Sequence, residues 1–303
     1  MTDPTGTRRR SQRLDISAKA ELQAEIARIE AQAAARRKAP QPAPQPQLQP
    51  EPVNAPGLPT PTRDIWNDIQ SFRIDPAALE ANLVITASRE DPAHVTFDVL
   101  RTRLLGALRE NGWSRVGITS PRAGCGKTFI AANLAVTLSR YDSLRVVLLD
   151  MDLRRPSLNR IFGVADAPAT GDFLRGMVPP ADYLRRPGQN MLNIGDTLAI
   201  GFNNRVEAYA SELFHGPGTD AALARLQRET RADIILYDLP PALAFDDIIA
   251  LRPQLDGLLL VAGGGTTTAR EMKESVRRIG EDKPIIGVIL NQAQGEGTDD
   301  YRY

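Results

Sequence analysis

Cysteine occurs once in the 303 residues, at Cys125, and histidine twice, at His94 and His215. A single thiol excludes an internal disulfide and suits a reducing compartment. Two isolated histidines and one cysteine offer no zinc-type ligand spacing, so no metal beyond one bound with a nucleotide is indicated. No apolar run approaches the ~20 residues needed to span a bilayer. The opening Met-Thr-Asp-Pro-Thr-Gly-Thr-Arg-Arg-Arg lacks the apolar region of a secretory signal. Lys plus Arg and Asp plus Glu balance at 37 each, which removes any electrostatic pointer to nucleic acid. What remains is a chain expected in the cytoplasm, meeting a membrane only through a partner. Its 42% apolar content is enough for one sizeable α/β core.

The most informative segment is Ile118-Thr-Ser-Pro-Arg-Ala-Gly-Cys-Gly-Lys-Thr128. A short apolar stretch precedes it and a helical periodicity from Thr128 to Leu138 follows, the strand-turn-helix setting of a phosphate-binding loop. Gly124 and Gly126 permit positive φ and close approach, so that backbone N–H groups from Arg122, Ala123, Gly124, Cys125, Gly126, Lys127, Thr128 and Phe129 can curl around phosphate oxygens. The helix N-terminus adds positive potential. Lys127 can reach the β- and γ-phosphates of a nucleotide, and the Thr128 hydroxyl can ligate Mg²⁺. Cys125 reads first as a small side chain that fits the loop, with oxidation that blocks phosphate entry as a second reading.

Two apolar runs end in carboxylates: Arg145-Val-Val-Leu-Leu-Asp150, continuing Met-Asp152-Leu-Arg154-Arg155-Pro156, and Asp233-Ile-Ile-Leu-Tyr-Asp238, continuing Leu-Pro-Pro241. Continuous apolar runs mark parallel strands buried on both faces, with ligands off their carboxyl ends. Asp150, Asp152 and Asp238 are therefore expected to meet beside the loop. Strands are predicted near 114–119, 144–150, 191–195, 233–238, 256–262 and 284–290. Helices are predicted at 93–111, 128–139, 219–229 and 267–279, making a mainly parallel, doubly wound α/β sheet.

These motifs, with Ser157-Leu-Asn-Arg-Ile-Phe-Gly163 and Gly287-Val-Ile-Leu-Asn291, resemble the bacterial tyrosine kinases (BY-kinases) of the CpsD/CapB type over about residues 75–292. The resemblance implies a deviant P-loop fold of the MinD-like class and an ATP/Mg²⁺-dependent tyrosine autokinase of exopolysaccharide or capsule assembly. It implies Lys127, Asp150, Asp152 and Asp238 as catalytic residues, Thr128, Asp152 and Asp238 on the metal side, and Asp150 orienting or deprotonating the acceptor tyrosine. It further implies a homo-oligomer and, as a separate chain, a membrane-embedded chain-length regulator. The chain departs from that pattern in four places: Cys125 replaces a glutamate, Leu239 replaces a threonine, of the ring-assembly spacing only Arg101 is kept, and the proline-asparagine segment is not recognisable around Phe202 to Leu213. The competing reading is a ParA/MinD-like ATPase switch, with Arg122 where those proteins carry a signature lysine.

Outside the 75–292 domain, residues 1–38 read as a basic helical arm with Leu22, Ile26, Ile29 and Ala33 on one side, serving as coiled-coil handle, docking peptide or disordered arm. Residues 39–62 alternate proline with alanine and glutamine as a spacer. Residues 293–303 read as a mobile acidic tail bearing Tyr301 and Tyr303, the expected phosphoacceptors.

Overall fold

The computed structural model describes residues 4–38, 64–82, 84, 93–192, 194–280 and 282–293, with side chains of the first helix from 18 to 35. The 39–62 spacer and both tail tyrosines lie outside these residues.

Eight strands form one sheet: β1 (Ser71–Phe72), β2 (Arg115–Thr119), β3 (Val146–Asp150), β4 (Leu184–Pro187), β5 (Leu198–Gly201), β6 (Ile234–Asp238), β7 (Gly257–Gly263) and β8 (Ile285–Asn291). Their order is β1-β4-β5-β3-β6-β2-β7-β8. Every pairing is parallel except β4 with β5. Alternation along β3 explains the two layers. Val146 and Leu148 enter a core shared with α3 (Ala93–Asn111) and α4 (Lys127–Leu138), whereas Val147 and Leu149 enter a second core with α9 (Pro217–Thr230) and α11 (Ala269–Ile279). α4 lies between α3 and the sheet, so ten of its residues, Lys127 and then Ile130 through Leu138, are buried. The doubly wound sheet expected from the apolar runs is the one observed.

One expected strand is absent. Of these positions the described ones, 191, 192, 194 and 195, are irregular and carry no strand pairing, and Met191 is fully exposed. The Asn190 side chain donates to the carbonyls of Gly188 (3.0 Å) and Ile194 (3.2 Å) and accepts from the Leu192 N–H (3.1 Å). Asparagine offering its backbone such an alternative outcompetes a β ladder. The real strand, β5, is four residues long and fully buried, too short to stand out by pattern.

The first helix, α1 (Pro4–Lys38), packs on α11 and β8. Leu22, Ile29 and Ala33 are buried and Ile26 is partly so, against a core that includes Ile279 and Ile285 with Val276, Val288 and Leu290 at its margin. The arm's apolar side thus covers its own domain's edge strand, which answers the exposed-edge problem of an open sheet. Residues ahead of 75 join the domain too: β1 pairs with β4, and Trp66 is buried under the guanidinium groups of Arg145 and Arg186.

Candidate functional site

Register fixes the geometry. β6 lies between β3 and β2, with Asp150 opposite Asp238 on one side and Ile118 opposite Asp238 on the other. The loop leaving β2 therefore begins beside two strand-terminal carboxylates. Gly124 and Gly126 sit at φ +88° and +87°, the left-handed region where glycine carries no Cβ penalty. A Cβ on Gly126 would lie 2.1 Å from Asn291 Nδ2.

Lys127 opens α4 and turns into the acids. Its Nζ is 2.9 Å from Asp152 Oδ2, 3.3 Å from Asp238 Oδ1 and 3.2 Å from Thr128 Oγ1. Burial opposes the ammonium charge, but the facing Asp238, Asp152 and Asp150 outweigh it and hold the lysine pKa above its ordinary value. Asp150 is fully buried, and one of its oxygens accepts from the N–H groups of Ser157 and Leu158, both at 3.0 Å. Burial, then the Asp238 charge, raises its pKa to about 8 in spite of those bonds and of Lys127. Burial raises Asp238 as well, against the pull of Lys127 and of a hydrogen bond from Thr128. Three carboxylates sharing one cation cannot all be ionised cheaply in a dry site.

Asp150 Oδ1 and Asp238 Oδ2 are buried without a hydrogen-bond partner among the described residues. Buried oxygens of that kind are rare and ask for a cation or proton. Hard carboxylate and hydroxyl oxygens around a phosphate loop are the donor set that Mg²⁺ takes. Thr128, Asp152 and Asp238 fit the ion, and Ser157 Oγ, 3.4 Å from Thr128 Oγ1, adds a further hydroxyl.

The loop carbonyls are held from behind. Ser120 Oγ donates to Arg122 O (2.7 Å), Asn291 Nδ2 to Cys125 O (3.0 Å) and Gln292 Nε2 to Gly124 O (3.2 Å). Asn291 and Gln292, at the end of β8, are site residues that sequence reasoning did not single out for this work. Cys125 is buried with Sγ 3.5 Å from Thr267 Oγ1, in keeping with a side chain that fits rather than one presented to solvent. The Phe129 ring packs edge-on against Phe97 at 5.9 Å, so only its backbone serves the loop. Ala123 is exposed at the loop tip. Arg122 is exposed as well and its guanidinium is bound to Glu271, the residue that closes the capping box of α11.

Arg154 does not hang in solvent. It grips buried Asp247 through Nε (3.1 Å) and Nη2 (3.2 Å), donates to Ala208 O (2.6 Å) and lies 4.8 Å over the Phe245 ring. It thereby straps the Asp150–Pro156 segment to the segment after Asp238. Arg101 pairs with Asp98 at 3.1 Å, within its own chain.

Residues 116–301 match the CobQ/CobB/MinD/ParA nucleotide binding domain family, more than half of the chain. The chain belongs to that family. Among proteins of this nucleotide-binding kind it is similar to tyrosine kinases, as its motifs imply. EpsB of Ralstonia nicotianae is 30% identical over 220 residues, covering 71% of this chain and 27% of EpsB. The tyrosine-protein kinase Etk of Escherichia coli (strain K12) is 29% identical over 216 residues, covering 70% and 28%. The chain thus spans under a third of the length of these relatives. The solved kinase domain of E. coli Etk superposes with a TM-score of 0.62 at 26% identity, over 73% of this chain and 84% of that one. The VpsO kinase domain gives 0.56 at 27%, over 71% and 96%. The matched residues, 116–301, include the loop and both acid motifs.

Proposed function

We propose that this chain is an ATP- and Mg²⁺-dependent protein-tyrosine kinase that phosphorylates Tyr301 and Tyr303 of its own kind. The observation that carries the reading is the gathering of Lys127, Thr128, Asp150, Asp152 and Asp238 at adjacent strand ends. Phosphoryl transfer asks chiefly for alignment and charge neutralisation, which this set supplies. Lys127 exchanges its carboxylates for phosphate oxygens, and the loop N–H groups cradle the rest of the triphosphate. Thr128, Asp152 and Asp238 would hold Mg²⁺, which would supply charge neutralisation for the phosphates. The tyrosine Oη forms the new bond to the γ-phosphorus, the bond from that phosphorus to the β–γ bridging oxygen breaks, and the phenolic proton passes to Asp150. A carboxylate raised to about 8 is a far better proton acceptor for a phenol of pKa ~10 than an ordinary one.

By likeness to EpsB and Etk, the process served is exopolysaccharide or capsule assembly, with a separate membrane-embedded chain-length regulator as activating partner and a homo-oligomer as working form. No described helix is long and apolar enough to cross a membrane. The location we propose is the cytoplasm, with that partner bringing the chain to the membrane. Incubation of wild type and Lys127→Met with labelled ATP tests the reading. Label on tyrosine in wild type alone supports a kinase, and free phosphate with unlabelled protein supports a MinD-like ATPase switch instead.

A further inference from the structure

Beside the sheet edge, the arm closes a cavity against its own domain. The cavity holds about 250 Å³ between α1, α11 and the start of β8, at the opposite end of the strands from the phosphate loop. Its lining among the described residues is cationic and without an acid: Arg28 from α1, Lys273 and Arg277 from α11, and Lys283 just ahead of β8. Helical spacing sets these corners. Lys273 and Arg277 stand four apart on α11, as do Arg28 and Gln32 on α1, so each helix turns a stacked pair into the cavity. Buried Ile29 and Ile285 complete the lining with apolar surface.

Like charges around one small cavity repel, and the usual reason for a basic helix end is met here by other residues. Arg252 donates to Ile279 O (3.1 Å) at the C-terminal end of α11, while Arg278 is turned to Leu243 O (3.1 Å) and Asp246. Arg28 and Arg277 each hold one acid of their own helix, Glu25 at 2.7 Å and Glu274 at 2.6 Å. The two ammonium groups are answered less well. Lys273 has no ion-pair or hydrogen-bond partner among the described residues. Lys283 donates to Leu255 O at 2.7 Å, and partial burial holds its pKa below the ordinary value. Asp282 and Asp256, which oppose that shift, are themselves bound by Arg252 and Arg115. Two under-compensated ammonium groups beside two arginine forks match a dianion that accepts several hydrogen bonds, a phosphate monoester rather than a carboxylate. The volume falls below the ~300–1,000 Å³ of pockets for drug-sized ligands, so the organic part is small. We propose that the cavity between α1 and α11 is a binding site for a phosphate monoester, gripped by Arg28, Lys273, Arg277 and Lys283. Occupied, it bridges α1 to α11 and stabilises the docked arm by mass action. The site does not depend on the kinase reading. A free phosphate ester and an anionic lipid headgroup offer the same chemistry, and the test separates them.

Hydrogen exchange of the full-length chain, titrated with glycerol 3-phosphate, tests the site. Exchange over residues 26–33 and 270–280 should slow by about three-fold or more as the ester saturates, while the central strands stay unchanged. Lys273→Glu alters an exposed side chain with no partner of its own, so the arm stays docked; the ester needed for half of the effect should rise about ten-fold or more. Lys273→Arg keeps the charge and should keep the protection. Vesicles of phosphatidylcholine with and without phosphatidic acid, whose headgroup is the same ester, form the second arm. Sedimentation with the phosphatidic acid vesicles alone, competed by glycerol 3-phosphate and weakened in Lys273→Glu, assigns a lipid headgroup. Protection by the soluble ester without such sedimentation assigns a free ligand. Protection that Lys273→Glu leaves unchanged, or that sodium chloride at equal ionic strength reproduces, would overturn the site. So would the absence of any effect with either probe.

Discussion

Lys127 is the charge on which the site turns. It is the cation directly facing Asp152 and Asp238, so Lys127→Met leaves buried carboxylates uncompensated, at a cost of about 3–5 kcal/mol when they are ionised. Protonation relieves that cost, and the variant should be much closer to wild type in stability at pH 5 than at pH 8. Denaturant titrations at the two pH values read this directly, and an equal loss at both would contradict it. Transfer activity should fall by about 10³-fold in the same variant. Asp150 gives a second prediction. Its carboxyl holds a proton in the folded chain up to about pH 8, whereas the unfolded chain loses it near the ordinary value of 3.8. Between those values the native state binds more protons, so wild-type stability declines as pH rises through the window. Asp150→Asn should flatten that decline. The kinase rate of wild type should climb towards a limb near pH 8 that the same substitution removes.

At the scale of elements, the phosphate loop is only as well placed as the strand end behind it. Asn291→Ala deletes the bond to Cys125 O, worth about 1 kcal/mol, and should weaken ATP binding by roughly five-fold in a fluorescence titration. An unchanged affinity would remove β8 from the site. Gly126→Ala should do more harm, because the positive φ and the contact with Asn291 forbid a Cβ together. The loop, β2, β3, β6 and the helices α4 and α11 were legible because long apolar runs and glycine spacing carry their own signal. Asp150, Asp152 and Asp238 were legible for the same reason, as carboxylates at the ends of such runs. The irregular backbone that follows Asn190 was not, since one asparagine side chain redirected an apolar stretch that reads as a strand. Nor was the clamp by Asn291 and Gln292, whose partners lie more than a hundred residues away in the sequence. Arg122 stands where a signature lysine would, yet it is tied to Glu271, a pairing that no local pattern announces.

Over the whole molecule, the arm α1, the sheet edge β8 and the phosphate loop form one mechanical line: α1 covers β8, and β8 ends on the loop. Ile29→Asp places a charge where 2% of the residue is exposed and should release the arm while the central strands keep their protection. Hydrogen exchange should then speed up over residues 18–35 and along β8. Exchange unchanged there would mean that the arm does not rest on the edge strand. The central claim, that one lysine, one hydroxyl and three carboxylates gathered at neighbouring strand ends move the γ-phosphoryl group to tyrosine, is tested most directly by mapping phosphate on the full-length chain after incubation with ATP and Mg²⁺. The account predicts phosphotyrosine at Tyr301 and Tyr303 in wild type and none in Lys127→Met. ATP turned over to free phosphate with every tyrosine unmodified would contradict it.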